Sequence, residues 1–361
     1  MALDRITLSS FRNHGETTLD GTAHFNLLVG ENGAGKTNVL EAISLLAPGR
    51  GLRRAALTDL AQLDGSGGFS VGASLAQAGG AEAVRLGTYA RADQPTRRRV
   101  QVNGAETSAN GLGEWLALGW LTPAMDRLFS DSAGARRRFL DRMVLALEPA
   151  HAHHSARYEA ALRERNRLLS DEREPDPAWL EGVERHLARH GALIAQARVR
   201  TVASLEAELA ALPREPFAVP LIALEPGGPP DEEALKRVLV ASRRRDRQAA
   251  RTLTGPHRDE MLVTMAGKAM PAADCSTGEQ KAMLIALTVA HAALAARGRP
   301  GVLLLDEVAA HLDPVRRAAL FDRLRQGAAQ VWMTGTELAP FADIRDEAAV
   351  WMVDGGKAER A

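Results

Sequence analysis

This sequence of 361 residues contains a single cysteine, Cys275. One thiol can form neither an intramolecular disulfide nor a structural zinc site built from several thiolates. Such a chain suits a reducing compartment, and we expect a cytoplasmic location.

Long apolar segments are missing as well. No run of about 18 apolar residues occurs, and a membrane-spanning helix requires that length. Residues 1–20 carry charged and polar side chains where a secretory signal would need an apolar stretch. We therefore expect neither export nor a membrane span.

The sequence has no net charge, because 45 Lys and Arg residues balance 45 Asp and Glu residues. Clustered cations attract a phosphate backbone, so a DNA site would have to be a local basic patch. Arginine runs occur at residues 97–99, 136–138 and 243–245. Each run either contacts DNA phosphates or is an ordinary solvated surface. For the run at Arg136, helix packing or an ion pair with Asp141 is a third interpretation.

The first part of the chain predicts strands, a glycine-rich loop and a helix, in that order. Apolar stretches around Ile6 and at Phe25–Val29 predict strands, and the second leads directly into the loop. Helical spacing follows over Thr37–Leu46. Residues 64–113 alternate in short stretches and predict antiparallel strands, with a hairpin turn at Asn103-Gly104.

The middle of the chain predicts helices. Residues 134–212 place apolar side chains at three- and four-residue steps, and the acidic segment Asp171–Pro177 interrupts them. Two helices joined at this break predict an antiparallel helical arm. Further along, Asp231 marks a capped helix start, and another helix is predicted for Glu279–Ala296.

Two more apolar stretches, Val302–Leu305 and Val331–Met333, predict strands, the second being the last of the chain. Strands alternate with helices at both ends of the chain, so we predict an α/β core completed by distant segments. The predicted domains are one lobe of residues 1–115 and 297–361 and an inserted, mainly helical lobe of residues 116–296.

Residues 30–37 match the phosphate-loop pattern GxxxxGK[ST] in full. The glycines let backbone amides turn toward a phosphate, and the helix that follows directs its N-terminal dipole at the same anion. Lys36 is expected to bridge the β- and γ-phosphates of a nucleotide, and the Thr37 hydroxyl to bind Mg²⁺. The residues predicted to contact the nucleotide here are Gly30, Glu31, Asn32, Gly33, Ala34, Gly35, Lys36 and Thr37. The strand before and the helix after argue against a chance glycine-rich turn.

Two carboxylates, Asp306 and Glu307, follow the predicted strand that ends at Leu305. Beside a phosphate loop, Asp306 is expected to hold Mg²⁺ and Glu307 to orient or deprotonate the attacking water. Without such a loop, this pair would be an ordinary exit of a strand to the surface.

The segment from Cys275 to Lys281 precedes a predicted helix. Ser276 and Gly278 can form an anion site at the helix start, although a simple helix cap is locally the stronger interpretation. The order of the motifs favours the anion site. A phosphate loop, this signature segment, an Asp-Glu pair and then Ala310-His311-Leu312-Asp313 is the order of ABC-type ATPases, in which the signature of one subunit closes over its partner's nucleotide. We predict an α/β ABC-type ATPase head with a mixed sheet and an inserted helical arm.

Over essentially its full length the chain resembles the RecF family, which is related to SMC and Rad50 heads. The resemblance rests on the motifs above and on three further stretches: Ser10-Phe11-Arg12-Asn13-His14, Ala135-Arg136-Arg137-Arg138-Phe139-Leu140-Asp141 and Thr254-Gly255-Pro256-His257-Arg258-Asp259.

The resemblance implies a cytoplasmic protein that uses ATP and Mg²⁺, dimerises on ATP and binds DNA at single-strand gaps or single-strand to double-strand junctions. It also implies a weak, DNA-stimulated ATPase in recombinational repair and replication restart. The same resemblance implies recombinase loading, SOS induction and other recombination mediator proteins as partners. Arg12 and Asp313 are expected to contact the nucleotide on this ground.

The sequence departs from ABC-type signatures at several positions. Cys275 and Thr277 stand where Leu and Gly are usual, and Thr277 narrows the approach of a phosphate, so we expect slow hydrolysis. Thr334-Gly335-Thr336 carries no switch histidine. Arg53 is a further, weaker candidate for a phosphate contact.

Competing interpretations remain for the histidines and for the function. His151, His153 and His154 are interpreted as a solvated helix start, because no carboxylate or thiolate stands at a ligand spacing beside them. The ATPase subunit of a membrane transporter would share the motifs, but residues 38–275 are far longer than its helical subdomain. An ATP-gated SMC-like clamp that does not hydrolyse is another alternative, and Glu307 argues against it.

Overall fold

The computed structural model describes residues 2–63, 65, 67–76, 82–213 and 215–361. The chain divides into two compact units. The first comprises residues up to Asp126, Leu212–Ala218 and Thr277–Ala361, and the second comprises Arg127–Ala211 and Val219–Ser276.

Strands occur in both units. In chain order they are β1 (Leu3–Phe11), β2 (His14–Asp20), β3 (Phe25–Val29), β4 (Phe69–Leu75), β5 (Val84–Arg91), β6 (Gln94–Val102), β7 (Ala105–Thr107), β8 (Ala117–Leu121), β9 (Pro220–Glu225), β10 (Glu260–Met265), β11 (Met270–Pro271), β12 (Gly301–Leu305), β13 (Gln330–Gly335), β14 (Ala348–Asp354) and β15 (Lys357–Arg360). The α-helices are α1 (Lys36–Ser44), α2 (Leu112–Trp115), α3 (Ala133–Leu147), α4 (His151–Ser170), α5 (Pro177–Ala211), α6 (Glu232–Ala241), α7 (Arg243–Gln248), α8 (Thr277–Ala295) and α9 (Pro314–Gln326).

A mixed sheet in the first unit has the strand order β15-β14-β3-β13-β12-β8. The five strands from β14 to β8 run parallel, and β15 pairs antiparallel with β14. Every residue of β3, β8, β12 and β13 is buried, as expected for strands with both faces covered. Helix α8 packs on β8 and β12, and α1 packs on β13. The predicted strands at residues 25–29, 302–305 and 331–333 are confirmed.

Val331–Met333 is not the last strand, because β14 and β15 follow it. β14 pairs with β3, and its Trp351 stacks on Trp332 of β13 with ring centroids 5.4 Å apart. The partners that hold β14 in the sheet are therefore far away along the chain.

An antiparallel sheet of the first unit has the order β2-β1-β4-β5-β6-β7. Asn103 and Gly104 connect β6 to β7 with φ angles of 50° and 83°, which a tight hairpin turn requires. The predicted hairpin is confirmed. Residues of both sheets and of α1 share one apolar core, in which Phe11 and Phe69 meet edge to face.

The second unit is mainly helical. α4 and α5 pack along each other on either side of residues 171–176, which confirms the predicted helical arm. Asp231 caps α6 by accepting a hydrogen bond from the amide of Ala234 at 2.8 Å. A small antiparallel sheet, β11-β10-β9, completes the unit.

The observed division differs from the predicted boundaries at residues 115/116 and 296/297. β8 belongs to the first unit because it is a parallel neighbour of β12, with Ala117 opposite Gly301. α8 belongs there because it covers the same two strands. Sequence alone grouped both elements with the helices, since neither has a partner nearby in the chain.

A buried ion-pair cluster joins three helices of the second unit. Arg165 of α4 is fully buried, and its guanidinium lies 3.1 Å from Glu184 of α5 and 2.8 Å from Asp246 of α7. Burial of such charges is tolerated only when each one is paired, so this cluster fixes the mutual position of the three helices. Among the described residues, no helix is both long and apolar enough to cross a membrane.

Candidate nucleotide site

The glycine-rich loop connects β3 to α1 at the edge of the mixed sheet where the parallel strands end. Gly33 and Gly35 have φ angles of 85° and 118°, which side chains with a Cβ rarely adopt. A Cβ at Gly30 would lie 2.0 Å from the carbonyl oxygen of Val353. The pattern GxxxxGK[ST] therefore has steric reasons here, and its backbone forms an anion cradle.

Residues at the start of β2 support this loop from behind. The Nδ2 of Asn13 donates to the Ala34 carbonyl at 3.0 Å, and His14 Nε2 lies 3.1 Å from the Gly35 carbonyl. His14 is fully buried, and burial lowers its pKa, so the ring is neutral at neutral pH. The amide of Gly356 also donates to the Ala34 carbonyl, at 3.0 Å. The loop is thus held from two sides.

Lys36 places its ammonium inside the loop. Its Nζ donates to the carbonyl oxygens of Gly30 at 2.6 Å and Glu31 at 2.7 Å. Burial lowers the pKa of Lys36, while Glu307 and Asp306 act in the opposite direction. The ammonium is therefore held by loop carbonyl groups and is stabilised by the charges of the acidic pair.

Asp306 and Thr37 meet at the end of β12. The Thr37 hydroxyl donates to Asp306 Oδ1 at 2.9 Å, so two oxygen ligands of the kind that Mg²⁺ prefers lie side by side. The Thr334 hydroxyl donates to the same Oδ1 at 2.8 Å and accepts a hydrogen bond from the Glu307 amide at 2.9 Å. Thr334 therefore connects the two acidic residues.

Glu307 has a left-handed backbone with a φ angle of 55°. This conformation costs free energy in a residue with a side chain and persists only when its surroundings enforce it. The hydrogen bond from the Glu307 amide to Thr334 is one such constraint. The strained backbone makes Glu307 a candidate functional residue.

Arg12 and Arg53 share one carboxylate. Arg12 binds Glu41 through two hydrogen bonds of 2.9 Å each, and Arg53 Nη1 lies 3.0 Å from Glu41 and 2.7 Å from Asn38 Oδ1. Glu41 is buried in α1. Both arginines line a cleft of ≈ 660 Å³ together with Asn13, Asn38 and Asp59. A shared anchor keeps two positive charges next to the loop.

The remaining predicted site residues lie at helix starts. Ser276 and Gly278 are exposed where α8 begins, and a Cβ on Gly278 would meet nothing within 4 Å. Asp313 caps α9 by accepting a hydrogen bond from the Arg316 amide at 2.9 Å. The side chain of Ser276 and the backbone of Gly278 are therefore accessible to solvent.

Side chains in all three arginine runs make internal contacts. Arg98 donates to the carbonyl oxygens of Leu45 and Gly49, Arg136 pairs with Glu260 at 2.6 Å, and Arg243 pairs with Glu184 at 2.6 Å. The suggested ion pair between Arg136 and Asp141 is absent, because Asp141 binds Arg198 and His151 instead. These three arginines stabilise the fold.

The interpretation of the histidines as a solvated helix start is wrong for His151. That side chain is buried, and its Nε2 lies 2.9 Å from Asp141 Oδ1. Sequence reasoning also missed Glu41 and the support that Asn13 and His14 give to the loop, and it noted Thr334 only as part of a switch segment without a histidine. Asn13 and His14 stand in a family stretch already noted, whereas Glu41 had no local signal.

Comparisons with known proteins agree with this architecture. The RecF/RecN/SMC N-terminal domain family matches residues 2–358. The DNA replication and repair protein RecF of Rhizobium leguminosarum bv. trifolii is 44% identical, over 99% of this chain and 98% of the relative. That of Mesorhizobium japonicum is 46% identical, over 98% of this chain and 96% of the relative.

Solved structures show the same fold. The recombination mediator protein RecF-ATPrS of the RecFOR pathway has a TM-score of 0.87 at 23% identity, covering 99% of this chain and 97% of that one. The Smc head domain of Pyrococcus furiosus has a TM-score of 0.56 at 16% identity, covering 100% of this chain and 96% of that one. The fold is that of an α/β ABC-type ATPase head, and with the curated relatives this places the chain in the RecF family.

Proposed function

We propose that the chain is an ATP-binding and slowly ATP-hydrolysing DNA repair protein. The observation that carries this proposal is the 2.9 Å contact between Thr37 and Asp306, next to a glycine-rich loop that holds the Lys36 ammonium. RecF is named a DNA replication and repair protein in the relatives, and one solved RecF is described as RecF-ATP. On those grounds we propose that this chain binds ATP and acts in DNA repair.

The loop residues fit a triphosphate. The amides of residues 30–37 would surround the β-phosphate, and Lys36 would exchange its bonds to Gly30 and Glu31 for phosphate oxygens. Thr37 and Asp306 would hold Mg²⁺, which neutralises phosphate charge when it is bound. Glu307 is positioned to orient or deprotonate water, and Arg12 beside the loop would face the nucleotide.

We further propose an ATP-dependent homodimer. Ser276 and Gly278 are exposed at the start of α8, where helix amides favour an anion, so a second subunit could contribute its nucleotide there. Asp313 would lie near this interface. Thr277 replaces a smaller residue in the signature, which is consistent with slow hydrolysis.

The DNA partner proposed is a single-strand gap or a junction of single and double strands in the cytoplasm. Cooperation with other mediator proteins is part of the same proposal and is supported by the RecFOR pathway named for the solved RecF. Recombinase loading and SOS induction are proposed with it on the family resemblance alone. A transporter ATPase is disfavoured by the RecF relatives that span the chain. An SMC-like clamp would have the same fold but would not hydrolyse ATP, so a hydrolysis assay distinguishes it from this proposal.

Sedimentation of the full chain with and without Mg-ATP and a gapped duplex tests the proposal. We expect a monomer alone, a dimer with ATP, and co-sedimentation with DNA that weakens as salt rises. Lys36→Ala should lose ATP binding and dimerisation, whereas Lys236→Ala, which changes an exposed ion pair with Glu181, should keep both. Calorimetry without heat on addition of Mg-ATP would overturn the proposal.

A further inference from the structure

Four histidine rings of the second unit lie together where α4 and α5 pack. They are His153, His154, His186 and His190. Ring centroids of His153, His154 and His190 form a triangle with sides of 5.4, 5.9 and 5.4 Å. His186, one turn before His190, stacks on it with centroids 6.4 Å apart. The cluster is made by two helices and has no part in the nucleotide site.

The ring separations match those of imidazoles that share one metal ion. With Zn–N bonds of about 2.0–2.1 Å and tetrahedral angles, two ligand nitrogens lie about 3.3 Å apart, and their ring centroids roughly 5 Å apart. The Nδ1 atoms of His154 and His190 are 3.2 Å apart. This pair is therefore already spaced as two ligands of one ion.

A third nitrogen must turn toward that pair. Among the described residues, no group of three His, Cys, Asp or Glu side chains forms a complete metal site as the rings stand. His153 is exposed, so its ring is the one that would have to turn toward the pair, whereas His190 is only 9% exposed. His186 and His190 also have the spacing at which two helical histidines bind zinc.

We propose that His153, His154 and His190, with His186 beside them, form a binding site for a divalent transition-metal ion, Zn²⁺ in the first place. Imidazole ligands select this class of ion over Mg²⁺, which prefers the oxygen ligands of Thr37 and Asp306. A bound ion would join the first turn of α4 to the middle of α5. The metal would then stiffen the second unit and would take no part in the nucleotide chemistry of the first unit.

Zinc titration of the metal-free full chain, without nucleotide and against a chromophoric chelator, tests this site. We expect one Zn²⁺ per chain and a tetrahedral absorption spectrum when Co²⁺ replaces it. His154→Gln and His153→Gln should each weaken Zn²⁺ binding at least about 10-fold, since even outer-shell changes have effects of that size. The matched control is His24→Gln, which changes a histidine of the first unit.

Circular dichroism and the unfolding midpoint in chelator establish that each variant is folded. The exposed position of His153 makes His153→Gln decisive if the variant at His154 is unstable. Absence of Zn²⁺ and Co²⁺ binding by the wild-type chain would overturn the proposal. Binding that both His153→Gln and His154→Gln leave unchanged would overturn it equally. Neither result would affect the proposed ATPase, which is measured without these metals.

Discussion

The hydroxyl of Thr334 donates a hydrogen bond to Asp306 Oδ1 at 2.8 Å, and the same oxygen accepts a hydrogen bond from the Glu307 amide. One buried side chain thus sets the positions of the residue proposed to hold Mg²⁺ and the residue proposed to act on water. Its place at the end of β13, beside β12, makes this link a direct product of the parallel strand pairing.

Thr334→Val should slow ATP hydrolysis and leave ATP binding largely intact. The substitution keeps the volume but leaves the Glu307 amide without its acceptor, which costs about 1–3 kcal/mol and corresponds to roughly a 5- to 150-fold lower kcat. Steady-state kinetics with ATP titration measures both quantities. Thr288→Val is a matched control, because the buried hydroxyl of Thr288 binds the Leu284 carbonyl within α8. Equal kcat values for the wild type and Thr334→Val would contradict the role given to Thr334.

Glu307→Gln should bind ATP and accumulate as the ATP-bound dimer. An amide cannot accept a proton from water, so we expect hydrolysis to fall by about 10²–10⁴-fold. Size-exclusion chromatography after incubation with Mg-ATP, together with phosphate release, distinguishes this outcome. Glu114→Gln, at an exposed position of α2, serves as control. If Glu307→Gln and the wild type release the nucleotide alike, Glu307 has no part in the reaction.

Arg165→Ala should destabilise the second unit strongly. The substitution leaves the buried carboxylates of Glu184 and Asp246 without their shared cation, at a cost of about 3–5 kcal/mol. Arg167→Ala on the same helix removes an exposed pair with Glu164, for which a much smaller loss is expected because solvent screens the pair. Urea unfolding followed by circular dichroism compares the two. A smaller loss for Arg165→Ala than for Arg167→Ala would contradict this interpretation of the cluster.

Acid should destabilise the chain partly through His190. Its pKa in the folded protein is lowered to about 4, against about 6.5 in an unfolded chain. The unfolded state therefore takes up the proton first, so stability is complete above about pH 6.5 and falls as the pH drops toward 4. In chelator, the unfolding midpoint of His190→Gln should depend less on pH in this window than that of the wild type. The exposed His186→Gln provides the comparison, and an identical pH dependence of all three proteins would exclude His190 as a cause.

The sequence predicted well those structural features that are formed by residues close together in the chain. The loop from Gly30 to Thr37, the strand before it and the helix after it lie within a short stretch, so local rules suffice. The Asn103-Gly104 turn and the break between α4 and α5 belong to the same class. RecF membership was predicted from several such stretches taken together.

Relationships between distant residues were not predictable in this way. Thr334 is an unremarkable strand residue until β13 lies beside β12, and Glu41 is one more helical glutamate until Arg12 and Arg53 reach it. β8 and β14 needed their partners β12 and β3 to be recognised as members of the mixed sheet. His153 and His154 were judged without His190, because 36 residues separate His154 from the ring that it touches.

The position of β3 between β13 and β14 has a consequence for biosynthesis. Phe25 lies opposite Val331 on one side and Ala348 on the other, so the strand that carries the glycine-rich loop has no neighbour in its sheet until about 300 more residues are made. At 5–20 residues per second this wait lasts roughly 15–60 s on the ribosome. We expect the nascent chain to depend on chaperones that shield this apolar strand.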